Sequence, residues 1–180
     1  MAANSAGITQ SLPPVTLVLG GARSGKSSFA ERITVAHPRG CAYLATAEIG
    51  DDEMADRVRR HRARREAQWR TVEAPLEVAA AIMAETEQGA AVLVDCLTLW
   101  LSNLMAAQRD PGRETESLVH ALGQAGGPVV FVSNEVGLGI VPDNALARAF
   151  RDHAGRLNQR MAEVANNVFF VAAGLPLRLK

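Results

Sequence analysis

Eight residues near the start of the chain, Gly20-Gly21-Ala22-Arg23-Ser24-Gly25-Lys26-Ser27, fit G-x-x-x-x-G-K-[ST], the pattern of a loop that holds a chain of phosphates. Glycines let successive backbone N–H groups turn inward around an anion, and a helix starting at the end of the loop adds its partial positive charge. The Lys26 ammonium can reach β- and γ-phosphate oxygens, and the Ser27 hydroxyl is a hard oxygen donor suited to Mg2+. Lys26 and the terminal Lys180 are the only lysines, so where this chain merely needs positive charge it uses arginine. Together these residues point to transfer of a phosphoryl or nucleotidyl group from a nucleoside triphosphate. Asp95, at the end of the apolar run AVLVD, suits a carboxylate that holds Mg2+ through its water shell, and it could also cap the helix that follows.

A second group lies in DDEMADRVRRHRARREA (51–67), where Arg57, Arg59, Arg60, Arg62, Arg64 and Arg65 surround His61. On a helix these arginines would point in all directions rather than along one stripe, so a solvated face explains them only in part. Positive neighbours disfavour imidazolium, which leaves a nitrogen lone pair able to attack phosphorus. An ordinary surface histidine on a basic helix fits the same residues. His37, His120 and His153 have no comparable neighbours. Cys41 and Cys96 sit in apolar runs at no metal-ligand spacing, which predicts two buried, reduced thiols.

These residues are spaced along alternating elements. VTLVL (15–19) leads through the glycine-rich loop into a helix over 26–36. CAYLA (41–45), WRTVE (69–73), AVLVDCL (91–97), PVVFVSNE (128–135) and VFFVAAG (168–174) read as further strands, with LPLRLK folding back as a short closing strand. Helices are expected over 51–67, 76–86, 98–107, up to Leu122, and 144–165. A loop is expected at Arg109-Asp110-Pro111-Gly112. Continuously apolar strands alternating with helices predict an α/β fold: one domain with a mostly parallel central sheet flanked by helices and a short antiparallel closing strand, the RecA-like form of the P-loop NTPases. Residues 1–13 lack periodicity and end at Pro13-Pro14, which predicts a flexible leader before a domain over 14–180.

At 180 residues the chain is long enough for one well-buried core, and its formal net charge of zero gives it no overall pull toward nucleic acid or an anionic membrane. No apolar stretch approaches the roughly 20 residues of a membrane span, and MAANSAGITQ lacks the charged and apolar regions of a signal peptide. A cytoplasmic protein is expected.

Three segments go beyond a generic phosphate-binding loop: GGARSGKS (20–27), DDEMADRVRRHRARREAQWRTVE (51–73), and the stretch from SNEVGLGIVP through RAFRDHAGRLNQ to the C-terminus (133–180). From Val15 onward the chain resembles the bifunctional adenosylcobinamide kinases / adenosylcobinamide-phosphate guanylyltransferases of cobalamin biosynthesis. The resemblance implies two reactions, using GTP or ATP with Mg2+ and a corrinoid. First the aminopropanol hydroxyl of adenosylcobinamide is phosphorylated, and then GMP passes from GTP to that phosphate through a guanylylated histidine. It assigns that role to His61. It maps nucleotide contacts onto the P-loop, Ala45-Thr46-Ala47, Arg62-Ala63-Arg64-Arg65, Glu73 and Asp95, and it implies a homotrimer.

The residues alone leave other roles open. Glu73 can accept from guanine or ribose, or serve as a charge beside the helix start at Pro75. Asn134 and Glu135 end a strand on the edge where such sheets place ligands, so they are candidates for orienting the corrinoid side chain or a metal-bound water, with NEVGLGIVP as a substrate loop or a glycine-permitted turn. Arg148, Arg151, Asp152, Arg156, Asn158 and Gln159 form a polar helix face, either a subunit contact or a substrate rim. The competing functions are a kinase of one small alcohol with His61 as bystander, and a nucleotide-dependent binding module that uses the Arg-rich helix on nucleic acid. The absence of a nucleic-acid-binding motif counts against the second.

Overall fold

The computed structural model describes residues 12–47 and 69–180. His61, the Arg-rich segment and its expected helix, and residues 1–11 of the expected leader lie outside the described residues.

The valine- and leucine-rich runs form seven strands: β1 (Val15–Gly20), β2 (Cys41–Ala45), β3 (Trp69–Glu73), β4 (Ala91–Asp95), β5 (Val129–Asn134), β6 (Asn167–Ala172) and β7 (Leu175–Arg178). They make one sheet in the order β3-β2-β4-β5-β1-β6-β7, parallel throughout except for β7, which runs antiparallel to β6. β1 is buried along its whole length, as are all but the last residues of β4 and β5, because helices cover both faces.

Helix α1 (Lys26–Val35) packs on one face, where Phe29 and Ala30 meet Val18, Tyr43, Leu93, Val130, Val132 and Val171. Helices α2 (Val78–Thr86), α3 (Leu97–Ala106), α4 (Pro111–Leu122) and α5 (Ala145–Val164) cover the other. Their Ile82, Trp100, Leu101, Leu104, Leu118, Leu157 and Met161 pack against Leu17, Leu44, Val92, Val94 and Phe131. Leu12 packs against the cluster beneath α1.

Two local expectations are corrected. The strand expected over 91–97 stops at Asp95, since Leu97 begins α3 and Cys96 is its extended flanking residue. The loop expected at 109–112 is a helix start: Asp110 caps α4, its carboxylate accepting from the backbone N–H of Gly112 at 2.8 Å and Arg113 at 3.3 Å. Pro111 takes the first helical position, where the missing N–H costs nothing.

Because five adjacent strands are parallel, Glu73, Ala45, Asp95, Asn134 and Gly20 all lie at the carboxyl edge of one sheet. That is the edge where open α/β sheets bind ligands. The β6–β7 hairpin braces it. Its two-residue turn places Ala173 and Gly174 at φ 51° and 79°, and the Gly174 N–H donates to the Ser24 carbonyl at 2.8 Å. Gly20 is pressed so closely between neighbours that an added Cβ would stand 2.5 Å from the Val171 carbonyl oxygen and 2.6 Å from Ser24 Oγ. Gly20→Ala must therefore push β6 or the loop away, and should lower unfolding free energy by about 1–3 kcal/mol, the range for forcing extra volume into a packed site. Urea denaturation checks this, and an unchanged midpoint would contradict the close packing.

Candidate active site

The phosphate-binding loop leaves β1 and enters α1 with Arg23 at φ 55° and Gly25 at φ 94°. A left-handed residue suits Gly25 because a Cβ there would also meet the Gly174 Cα at 3.0 Å. The first α-helical hydrogen bond, Phe29 N–H to the Gly25 carbonyl at 3.0 Å, leaves the N–H groups of the preceding turn directed at the loop mouth. Lys26 is only 8% exposed, and its ammonium donates to the Gly21 carbonyl at 3.0 Å, so the positive charge lies within the cradle. Ser24 Oγ is enclosed there with no hydrogen-bond partner among the described residues. An orphaned hydroxyl, a buried ammonium and a helix start within one loop fit a polyphosphate.

Asp95 stands two strands away on β4, roughly 10 Å from the loop backbone at ordinary strand spacing. Its Oδ2 accepts from the Tyr43 hydroxyl at 2.6 Å. Ser27 and Asp95 are both hard oxygen donors, and among the described residues no three His, Cys, Asp or Glu side chains gather as a metal cage. Such a set suits Mg2+ held largely by phosphates and water, rather than a dedicated all-protein site.

Between them, β5 brings Asn134 level with Gly20. The Asn134 side-chain amide donates to Thr98 Oγ1 at 2.6 Å and faces Cys96 Sγ at 3.6 Å. Behind it, Ser133 Oγ donates to Asn158 Oδ1 at 2.7 Å, and the Asn158 amide donates to the Asn134 carbonyl at 3.2 Å. Asn158, read from sequence as part of an outward polar face, is thus buried and ties α5 to the end of β5. The Glu135 N–H donates to the Gly20 carbonyl at 3.1 Å, and Glu135 Oε1 accepts from the Gly137 N–H at 2.6 Å. Arg148 reaches back to the carbonyls of Pro142 at 3.0 Å and Asp143 at 2.8 Å, fastening the loop 136–143 to the first turns of α5.

The other end of the edge holds Ala45, Thr46, Ala47 and Glu73. Thr46 is fully buried, and its hydroxyl is occupied: it donates to the Cys96 carbonyl and accepts from the Cys96 N–H, each at 2.8 Å. Asn103 on α3 donates to the carbonyls of Thr46 at 2.7 Å and Pro75 at 3.0 Å, closing the exits of β2 and β3. Glu73 is exposed and lies four strands, about 19 Å, from the phosphate loop.

The structure therefore gathers Gly20–Ser27, Asn134, Glu135 and Asp95 along β1, β5 and β4, brings Ala45 and Thr46 on β2 directly beside Asp95, and leaves Glu73 at the far edge on β3. His61 and Arg62 to Arg65 fall between Ala47 and Trp69, outside the described residues. Sequence reasoning missed Tyr43, Thr98 and Asn103. Tyr43 is the one hydroxyl-bearing residue of β2, and Thr98 and Asn103 interrupt the otherwise largely apolar α3, which was the available signal. Both cysteines are buried, and no disulfide joins them. Burial, with the Asp95 charge in addition for Cys96, pushes both thiols up, so they stay protonated and unsuited to nucleophilic attack.

Solved structures share this fold. A prototypical ATPase from the type III secretion system of pathogenic bacteria superposes with a TM-score of 0.57 at 12% identity, over 91% of this chain and 56% of that one. A KaiC-like protein from Pyrococcus horikoshii gives a TM-score of 0.52 at 12% identity, over 87% and 69%. At such identities the likeness concerns the P-loop ATPase fold alone. By sequence, the bifunctional adenosylcobalamin biosynthesis protein CobP of Pseudomonas aeruginosa is 51% identical over 91% of this chain and 96% of its own length. CobU of Salmonella typhimurium, described in the same words, is 41% identical over 91% and 98%. Residues 16–179 match the family described as cobinamide kinase / cobinamide phosphate guanyltransferase, and the chain belongs to that family.

Proposed function

We infer that this chain catalyses two successive transfers: phosphorylation of the aminopropanol hydroxyl of adenosylcobinamide, then guanylylation of the resulting phosphate. The observation that carries this reading is the phosphate cradle of Gly20–Ser27 opening beside Asp95 and Asn134, in a chain of the cobinamide kinase / guanyltransferase family.

In the first transfer the hydroxyl oxygen forms a bond to the γ-phosphorus of GTP or ATP and gives up its proton to solvent, the bond from that phosphorus to the bridging oxygen breaks, and the nucleoside diphosphate leaves. Little covalent help is needed from the protein, so positioning and charge carry the catalysis. The loop N–H groups and Lys26 neutralise the charge that spreads over the transferring oxygens. Mg2+, held by Ser27 and through water by Asp95, would supply further charge neutralisation at the β- and γ-oxygens. Asn134 and Glu135 orient the acceptor, a role supported by their position beside Gly20.

The second transfer runs through His61. Its imidazole attacks the α-phosphorus of GTP and pyrophosphate leaves. The oxygen of cobinamide phosphate then displaces the histidine, breaking the P–N bond and freeing the imidazole. Arg62, Arg64 and Arg65 neutralise phosphate charge during both displacements, and Ala63 and Glu73 complete the guanine-nucleotide contacts.

The active unit is proposed to be a homotrimer. Leu175, Leu177 and Leu179 alternate along the open edge of the sheet, and the loop and helix start after β5 expose Leu138 at 84% and Ile140 at 98%. Apolar side chains displayed in such a row mark a surface that is covered in use. Nucleoside triphosphates as substrates and two thiols not joined in a disulfide support a cytoplasmic location.

Three outcomes are expected. Lys26→Ala should lower phosphoryl transfer by roughly two to three orders of magnitude with an unchanged circular dichroism spectrum, as for loss of one preorganised charge. Near-normal kinase turnover in the folded variant would defeat the loop assignment. His61→Ala should take up no GMP from α-labelled GTP, yet keep adenosylcobinamide phosphorylation to within roughly tenfold, about 1.4 kcal/mol of barrier. Wild-type guanylyl transfer by this variant would place the nucleophile elsewhere. Sedimentation equilibrium should give three times the 19.2 kDa chain mass, and Leu177→Asp should dissociate it; a wild-type monomer would contradict the trimer.

A further inference from the structure

We propose that Tyr43 is a positioning residue for the metal-nucleotide complex, its hydroxyl fixing the Asp95 carboxylate in the one orientation that serves Mg2+. The proposal rests on the reading of Asp95 as the carboxylate that holds the ion through water.

Tyr43 on β2 pairs with Leu93 on β4, so both side chains emerge on the face covered by α1. Asp95 follows Leu93 by two residues and emerges on the same face. Diagonal neighbours of this kind lie about 7–8 Å apart, a gap that a long aromatic side chain spans. The phenol does so, donating to Asp95 Oδ2 at 2.6 Å.

The donor is held still. Tyr43 is 3% exposed, and its ring meets the edge of Trp69 at 6.1 Å between centroids with the planes 83° apart. Trp69 begins β3, the next strand out, so the sheet itself sets the ring's position. A carboxylate on a short side chain rotates freely unless one oxygen is bound. With Oδ2 held by the phenol, rotation of the carboxylate is restricted and Oδ1 is confined with it. A partner in this position fixes ligand orientation without touching the metal, and removing such partners typically weakens metal binding by about 10–100-fold.

Tyr43→Phe removes only the hydroxyl and keeps the ring and its contact with Trp69. The experiment titrates a fluorescent, non-hydrolysable GTP analogue into the full chain with Mg2+ and again with EDTA, for wild type, Tyr43→Phe and Asp95→Asn. The expected result is that Tyr43→Phe loses roughly tenfold of the affinity gained from Mg2+, the lower end of the range for such outer partners, while its affinity in EDTA stays at the wild-type value. Asp95→Asn should lose at least as much of the gain. If Asp95→Asn loses the gain and Tyr43→Phe keeps it, the positioning role is overturned although Asp95 retains its part. If Tyr43→Phe weakens binding equally with Mg2+ and EDTA, the hydroxyl is merely structural and the proposal fails. If Asp95→Asn keeps the full gain, the reading of Asp95 itself falls, and the proposal with it.

Discussion

A short peptide between β1 and α1 has to point its N–H groups at an anion, and the surrounding fold is arranged to let it. Free in water, a loop with residues in left-handed conformations at Arg23 and Gly25 would sample many shapes. Here β5 and β6 flank β1 on both sides, the β6–β7 turn donates to the Ser24 carbonyl, and Glu135 donates to the Gly20 carbonyl. The loop is preorganised by backbone hydrogen bonds from two other parts of the chain, 110 and more residues away in sequence. Preorganisation of this kind converts ligand binding into catalysis, because no ordering cost remains when charge develops on the transferring phosphoryl group.

The same requirement explains the polar residues buried beneath the edge. A sheet edge that faces a ligand cannot be sealed with apolar side chains, yet unpaired polar groups below it would cost about 1–3 kcal/mol each. Thr46, Cys96, Thr98, Asn103, Ser133, Asn134 and Asn158 resolve this by bonding to one another and to strand-end carbonyls. The network links β2, β4 and β5 with α3 and α5, so displacement of one strand end is felt by its neighbours. Thr46 is instructive: its place at the edge suggests a ligand contact, but its hydroxyl is already used in joining β2 to β4.

Much of the fold was legible because the strands are buried on both faces, and continuous apolar runs such as AVLV and VVFV leave few alternatives to a parallel sheet. The phosphate loop was legible for a different reason: its geometry depends on local glycines and one lysine at fixed spacing. Tyr43 was not, since its importance arises from strand register, which pairs it with Leu93 and brings it diagonally to Asp95 across 52 residues of sequence. Asn158 misled because a helix face rich in Arg, Asp and Gln reads as a subunit contact or a substrate rim, whereas one asparagine within it turns inward to meet Ser133. The start of α4 was misread because Pro and Gly together suggest a turn, while Asp110 before them supplies the cap that makes a helix.

One small chain adds two phosphorus atoms to the same corrinoid, each by a different chemistry. The most direct measurement follows both at once: wild-type protein is incubated with adenosylcobinamide, Mg2+ and a mixture of γ-labelled and α-labelled GTP, and the isotopes in the isolated corrinoid product are counted. The expected result is a single diphosphate-bridged product in which γ-derived and α-derived phosphorus occur in equal amounts, the first next to the aminopropanol and the second next to guanosine. A product that carries γ-label alone, however long the incubation, would mean a kinase without guanylyl transfer and would contradict the account.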